Sequence, residues 1–111
     1  MTAGERVLVT LNAPPALEES IVDWLLERGA GQGFTQSVVF GHSSQHTGLT
    51  VAEQVSGRRR RVRFDVSLAA AALDAFLGAL DERFATSDLY YRVVPVLAEK
   101  HLGQSPGSDG H

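Results

Sequence analysis

Four stretches of the chain alternate apolar and polar positions with a period of two, and two longer ones repeat with the period of a helix. Residues 5–12 set Val7, Val9 and Leu11 on one face and Leu8 and Thr10 on the other. Both faces are fairly apolar, as in a strand at the centre of a sheet. The run Asn12-Ala13-Pro14-Pro15 stops it, because two prolines cannot continue a ladder, and Pro15 suits a helix start, where its missing N–H costs little. From Leu17 the period changes. Leu17, Ile21, Trp24 and Leu25 form one stripe, while Glu18, Glu19, Asp23 and Glu27 take the solvent side. Gly29, Gly31 and Gly33 end that helix.

Residues 34–40 predict a second strand with Phe34, Val38 and Phe40 towards the core. A polar segment over 41–57 follows without steady period, and loops of that length are usually functional. The third strand, 58–66, points Val62, Phe64 and Val66 one way and Arg61, Arg63 and Asp65 the other. Ser67 is placed to cap a second helix marked by Leu73, Phe76, Leu77, Leu80 and Phe84. The last strand covers 89–97, and Pro95 within it favours a sheet edge. The Gly/Ser/Pro-rich tail, 103–111, is expected to be disordered, which leaves a single domain over 1–102.

The order β-α-β-β-α-β predicts an α+β, ferredoxin-like sandwich, with two helices on one face of an antiparallel sheet. Right-handed crossovers put the first and third strands in the centre. Leu8, Thr10, Val39, Tyr90, Val94 and Val96 then line the other face, a surface too apolar to stay fully exposed. A homo-oligomer is the economical way to cover it.

Composition narrows the function classes. With 111 residues, 43% of them hydrophobic, the chain has room for one core. A formal charge of −3 argues against a dedicated nucleic-acid or anionic-membrane binder. The third strand, with Phe64 as its one aromatic, also lacks the stacking platform of an RNA-recognition module. There is no cysteine, which excludes disulfides, thiolate metal sites and cysteine nucleophiles. No apolar run reaches the roughly 18 residues of a membrane span, and residues 1–6 lack the layout of a secretory signal. A cytoplasmic protein is the expectation, not embedded in a membrane. No nucleophile elbow, phosphate-binding glycine loop or His-Glu-x-x-His motif is present, so binding rather than catalysis is expected.

Two segments carry chemistry. His42 and His46, four apart and flanked by hydroxyls and an amide, suit zinc, copper or nickel, although a site needs help from Glu53, water or another subunit. The alternative is a pair of solvated loop histidines. Five arginines between Arg58 and Arg63 open the third strand. Guanidinium forks match phosphate and carboxylate, and the same charges also guard a strand against edge aggregation. Alternation divides them between two faces.

Three stretches carry a resemblance. They are Asn12-Ala13-Pro14-Pro15-Ala16-Leu17-Glu18-Glu19 with residues 22–26, Gly41-His42-Ser43-Ser44-Gln45-His46 with residues 51–58, and Tyr90-Tyr91 with residues 94–97. On these the chain resembles the PII-like signalling superfamily over roughly residues 5 to 100. More narrowly, it looks like an uncharacterised PII-like family of proteobacteria often encoded beside heavy-metal efflux genes. PII proteins open their long loop with Gly-x-Gly-x-Gln. Gly41, Ser43 and Gln45 fall on that spacing, with serine for the second glycine, and Arg61 matches a basic residue at the loop's far base. The resemblance implies a homotrimer with an effector cleft of Gly41, Ser43, Gln45, Arg58 and Arg61, and His42 and His46 as candidate metal ligands. It implies a nucleotide or a divalent metal ion as effector, and a membrane transporter or efflux component as the partner of the 42–56 loop. The usual Gly-Asp-Gly-Lys turn before the last strand is replaced by Ala85-Thr86-Ser87-Asp88, and the Arg-Thr-Gly-Glu segment is missing, so the effector is left open. A metal-binding protein resembling the CutA divalent-cation-tolerance family, or an oligomeric interaction module without effector, are the other readings.

Overall fold

Each predicted alternation becomes a strand of one sheet in the computed structural model, which describes residues 5–28, 33–42 and 58–103. The elements are β1 (Arg6–Ala13), α1 (Glu18–Glu27), β2 (Phe34–His42), β3 (Arg58–Ala69), α2 (Leu73–Phe84) and β4 (Tyr90–Val96). Single 3-10 turns, Pro15–Leu17 and Ala70–Ala72, lead into the two helices. All pairings are antiparallel in the order β2-β3-β1-β4. The first and third strands are therefore central, and Pro95 lies on an edge, where a missing N–H breaks no second ladder.

The register explains the two faces. Val9 lies opposite Val66 and Val93, and Leu11 opposite Phe64 and Tyr91, so these positions share the face that the helices cover. Val9, Leu11, Ala13, Val62, Phe64 and Val66 are buried there against Ile21, Trp24 and Leu25 of α1 and Phe76, Leu80 and Phe84 of α2. Trp24 joins the helices, meeting Phe76 and Phe84 edge-on at centroid distances of 5.3 and 5.8 Å. Edge-to-face contacts of this kind add to the area buried.

Three local expectations are corrected. Ser67 does not cap α2, because β3 runs on to Ala69, the residue at the helix N-cap is Ala72, and the Ser67 hydroxyl is engaged by Arg6 and Glu99. β2 extends two residues beyond Phe40, to His42. Val38 and Phe40 do share the helix-facing side of β2 with Phe34, but they are 58% and 45% exposed. Only Phe34, at the other end of the strand, packs against the core. β2 and the start of β3 thus form a two-stranded ribbon that outruns the helix layer.

The opposite face has no covering layer among the described residues. It carries Leu8, Thr10, Val39, Tyr90, Val94 and Val96, as the alternation predicts. Tyr90 is 54% and Val94 39% exposed. Its centre is polar, where Thr10 donates to Asp65 over 2.7 Å and Arg63 pairs with the same carboxylate.

Candidate effector site at the base of the ribbon

Where the ribbon leaves the body, the first residues of β3 meet the end of β1 and the turn before β4. Alternation sends Arg59, Arg61 and Arg63 to the uncovered face and Arg60 to the helix side, opposite Phe40. Arg61 is the buried charged residue of the described chain. Its Nε donates to Asn12 Oδ1 over 2.6 Å and its Nη2 to the Asn12 carbonyl over 3.0 Å. The other side of the guanidinium reaches Asp88, with Nη1 to Oδ2 at 3.0 Å and Nη2 to the backbone carbonyl at 3.2 Å. Arg59 Nη2 donates to the same Oδ2 over 2.6 Å. Three segments far apart in sequence are pinned by one side chain.

Hydrogen bonding from Arg61 is the main cause that holds the Asp88 carboxyl below its ordinary 3.8, with the charges of Arg61 and Arg59 assisting against the cost of burial. A group depressed in the folded state adds stability above its unfolded value and loses it as pH falls through the folded one. The urea midpoint of Asp88→Asn should therefore lie below that of the parent at neutral pH. The gap should close as pH drops below 3.8; a gap that persists there would mean that the carboxylate charge is not what the clip uses.

The expected effector residues separate on this geometry. Arg61 sits at the base of the ribbon, with four hydrogen bonds of its guanidinium already made inside the chain. Arg58 lies at the end of the ladder opposite His42, and Gly41 lies opposite Arg59. A Cβ on Gly41 would meet the Arg59 carbonyl at an ordinary 3.9 Å, so local space does not demand glycine. Ser43, Gln45 and His46 lie outside the described residues, as does most of the 42–56 loop. His42 is exposed on the last rung of β2, and no group of three or more metal-ligating side chains exists among the described residues. Asn12 and Asp88 were not singled out from sequence. The short turn that ends in Asp88 gives no local sign that it faces an arginine 27 positions earlier.

Comparison with known proteins fixes the family. A family model described as "Protein of unknown function (DUF3240)" matches residues 3–103. The chain belongs to the DUF3240 family. A solved DUF3240 protein from Shewanella baltica OS155 superposes with a TM-score of 0.70 at 24% identity, over 92% of this chain and 99% of that one. Bacillus subtilis GlnK, solved as an ATP complex, gives 0.63 at 16% identity, over 86% of this chain and 85% of that one. A Thermus thermophilus protein described as PII-like and signalling gives 0.56 at 23% identity, over 86% and 91%. No curated protein matches the chain. This DUF3240 chain therefore has the PII-like form of the ferredoxin-like fold. No helix among its described residues is long and apolar enough to cross a membrane.

Proposed function

We propose that this DUF3240 protein is a cytoplasmic PII-like regulator, a homotrimer that binds rather than catalyses. Its 42–56 segment contacts a partner, a membrane transporter or efflux component, under the control of a small effector. The observation that carries the reading is the ribbon. β2 and β3 remain paired to His42 and Arg58, beyond the helix layer, so the segment between them starts from a fixed base clear of the body. The likeness to GlnK, solved with ATP, supports a nucleotide as one effector class. The uncovered face with Leu8, Tyr90, Val94 and Val96 supports an oligomer, since burying such a surface is favourable at roughly 25 cal/mol per Å² of apolar area.

The mechanism is a change in order at the loop base. An effector that engages Arg59 competes with Asp88 for a guanidinium that is one-third exposed, while buried Arg61 keeps its hold on Asn12. A ligand of this kind shifts the loop only as far as it prefers one loop conformation over the other. Sedimentation should give the mass of three chains. Calorimetry with ATP, ADP, AMP, cyclic AMP and zinc, copper and nickel salts should give a saturable signal for one ligand, weakened by Arg59→Gln. A monomer that is silent in every titration would remove the regulatory reading.

A further inference from the structure

At the far end of the same uncovered face, Arg6, Ser67 and Glu99 close a ring of hydrogen bonds. Arg6 Nε donates to Glu99 Oε2 over 3.0 Å, and Arg6 Nη2 to Ser67 Oγ over 3.2 Å. The Ser67 hydroxyl donates in turn to both Glu99 oxygens, at 3.1 and 3.2 Å. The two donors stand on the central strands. Arg6 pairs with Ala69, and Ser67 with Leu8, so they are diagonal neighbours across one ladder. The acceptor does not belong to the sheet. Glu99 follows β4, and its side chain reaches across to Arg6 on β1 and Ser67 on β3.

The donors are rigid and the occupant is tethered. Glu99 is 45% exposed, and its neighbours Leu97 and Leu102 are 97% and 79% exposed, so little packing holds the segment down. Lys100 and His101 line the same open groove as Arg6, Ser67 and Glu99. Two further basic residues thus line the groove beside the Arg6–Glu99 pair. A guanidinium Nε with a hydroxyl beside it can receive an oxyanion from solution, which must then displace the tethered carboxylate.

We propose that the Arg6–Ser67 cradle is a receptor for a phosphate-like dianion, with Glu99 as its intramolecular occupant. Binding of the dianion and release of the 97–103 segment are then one event. A dianion outcompetes the tethered monoanion because its second charge strengthens the charge-assisted hydrogen bonds to the Arg6 guanidinium, which stays on β1 when the segment leaves. This stands apart from the effector reading, since Arg6 and Asn12 lie six residues apart on β1, about 20 Å.

Inorganic phosphate titrated into the full chain, followed by amide NMR, tests it. An occupant that fills the cradle about nine-tenths of the time lowers apparent affinity about tenfold. Glu99→Gln should therefore bind phosphate about tenfold more tightly than the parent, and Arg6→Gln and Ser67→Ala should lose the binding while circular dichroism stays unchanged. Phosphate should shift the Leu97–Gly103 amides of the parent towards those of Glu99→Gln. Acetate, a monoanion like Glu99, should bind much more weakly. Equal affinity in parent and Glu99→Gln, or no binding in either, would reduce the ring to a clasp for the segment and overturn the proposal. Acetate matching phosphate would overturn the dianion assignment. Loss of the signal in Arg59→Gln would move the anion to the ribbon base and overturn it too, without touching the effector reading.

Discussion

Replacing Arg61 with methionine should lower stability by about 2–3 kcal/mol, because it strips four charge-assisted hydrogen bonds from a buried position at once. The loss falls unevenly on its partners. Asp88, with a side chain 59% exposed, can recover water, so no charge is stranded. The Asn12 side chain and carbonyl are half-buried, and their unmet acceptors carry most of the cost. Arg59→Gln, which breaks an exposed pair to the same carboxylate, should lower stability by only about 0.2–0.5 kcal/mol, read from the urea midpoint. Lysine at position 61 should restore little, since a point charge cannot span Asn12 and Asp88 as the planar fork does. Amide exchange should rise in residues 85–90 of Arg61→Met before it rises elsewhere. If Arg59→Gln and Arg61→Met cost the same, the ribbon base is held by charge and not by the buried fork.

Trp24→Ala should cost more, about 3–5 kcal/mol, the range for removing a large aromatic from a core. Trp24 is 8% exposed and fills the space between the helices, with Phe76 and Phe84 edge-on to it. Both phenylalanines are themselves buried in the core, so the vacated volume is expected to stay largely unfilled. For a domain whose total stability is about 5–15 kcal/mol, the variant is expected to sit close to its unfolding midpoint at about 37 °C. Leu26→Ala, two positions on, is a control. Leu26 is 64% exposed on the opposite side of α1 and should change stability by less than about 0.5 kcal/mol.

The faces of all four strands were legible because alternation is a local signal that burial enforces. Val62, Phe64 and Val66 turn inward, and Leu8, Val94 and Val96 outward, as the pattern requires. Periodicity says which side a residue faces but not how far the layer above extends, and this is why Val38 and Phe40 face the helix side yet stay exposed. Ser67 misled for a related reason. A hydroxyl before an apolar helical stripe reads as a cap, and nothing nearby reveals that Arg6 and Glu99, 61 and 32 residues away, hold it in the strand. The arginine run was legible as chemistry, but which arginine is buried depends on Asn12 and Asp88, long-range partners without a local signature. The family was carried by short stretches around the ribbon and by Tyr90-Tyr91, and the match over 3–103 bears it out.

The strand order also fixes when folding can finish. Among the described residues β1 is the first strand, yet both its neighbours, β3 and β4, come later, and β4 is the last element. As the chain leaves the ribosome, β1 can pair with β3 once Ala69 has emerged, but its other edge stays open until Val96 follows. Such nonlocal pairing slows folding and lengthens exposure to aggregation. Translation should thus yield its first protease-resistant species only after β4 emerges, with no stable intermediate from the first helix and hairpin alone.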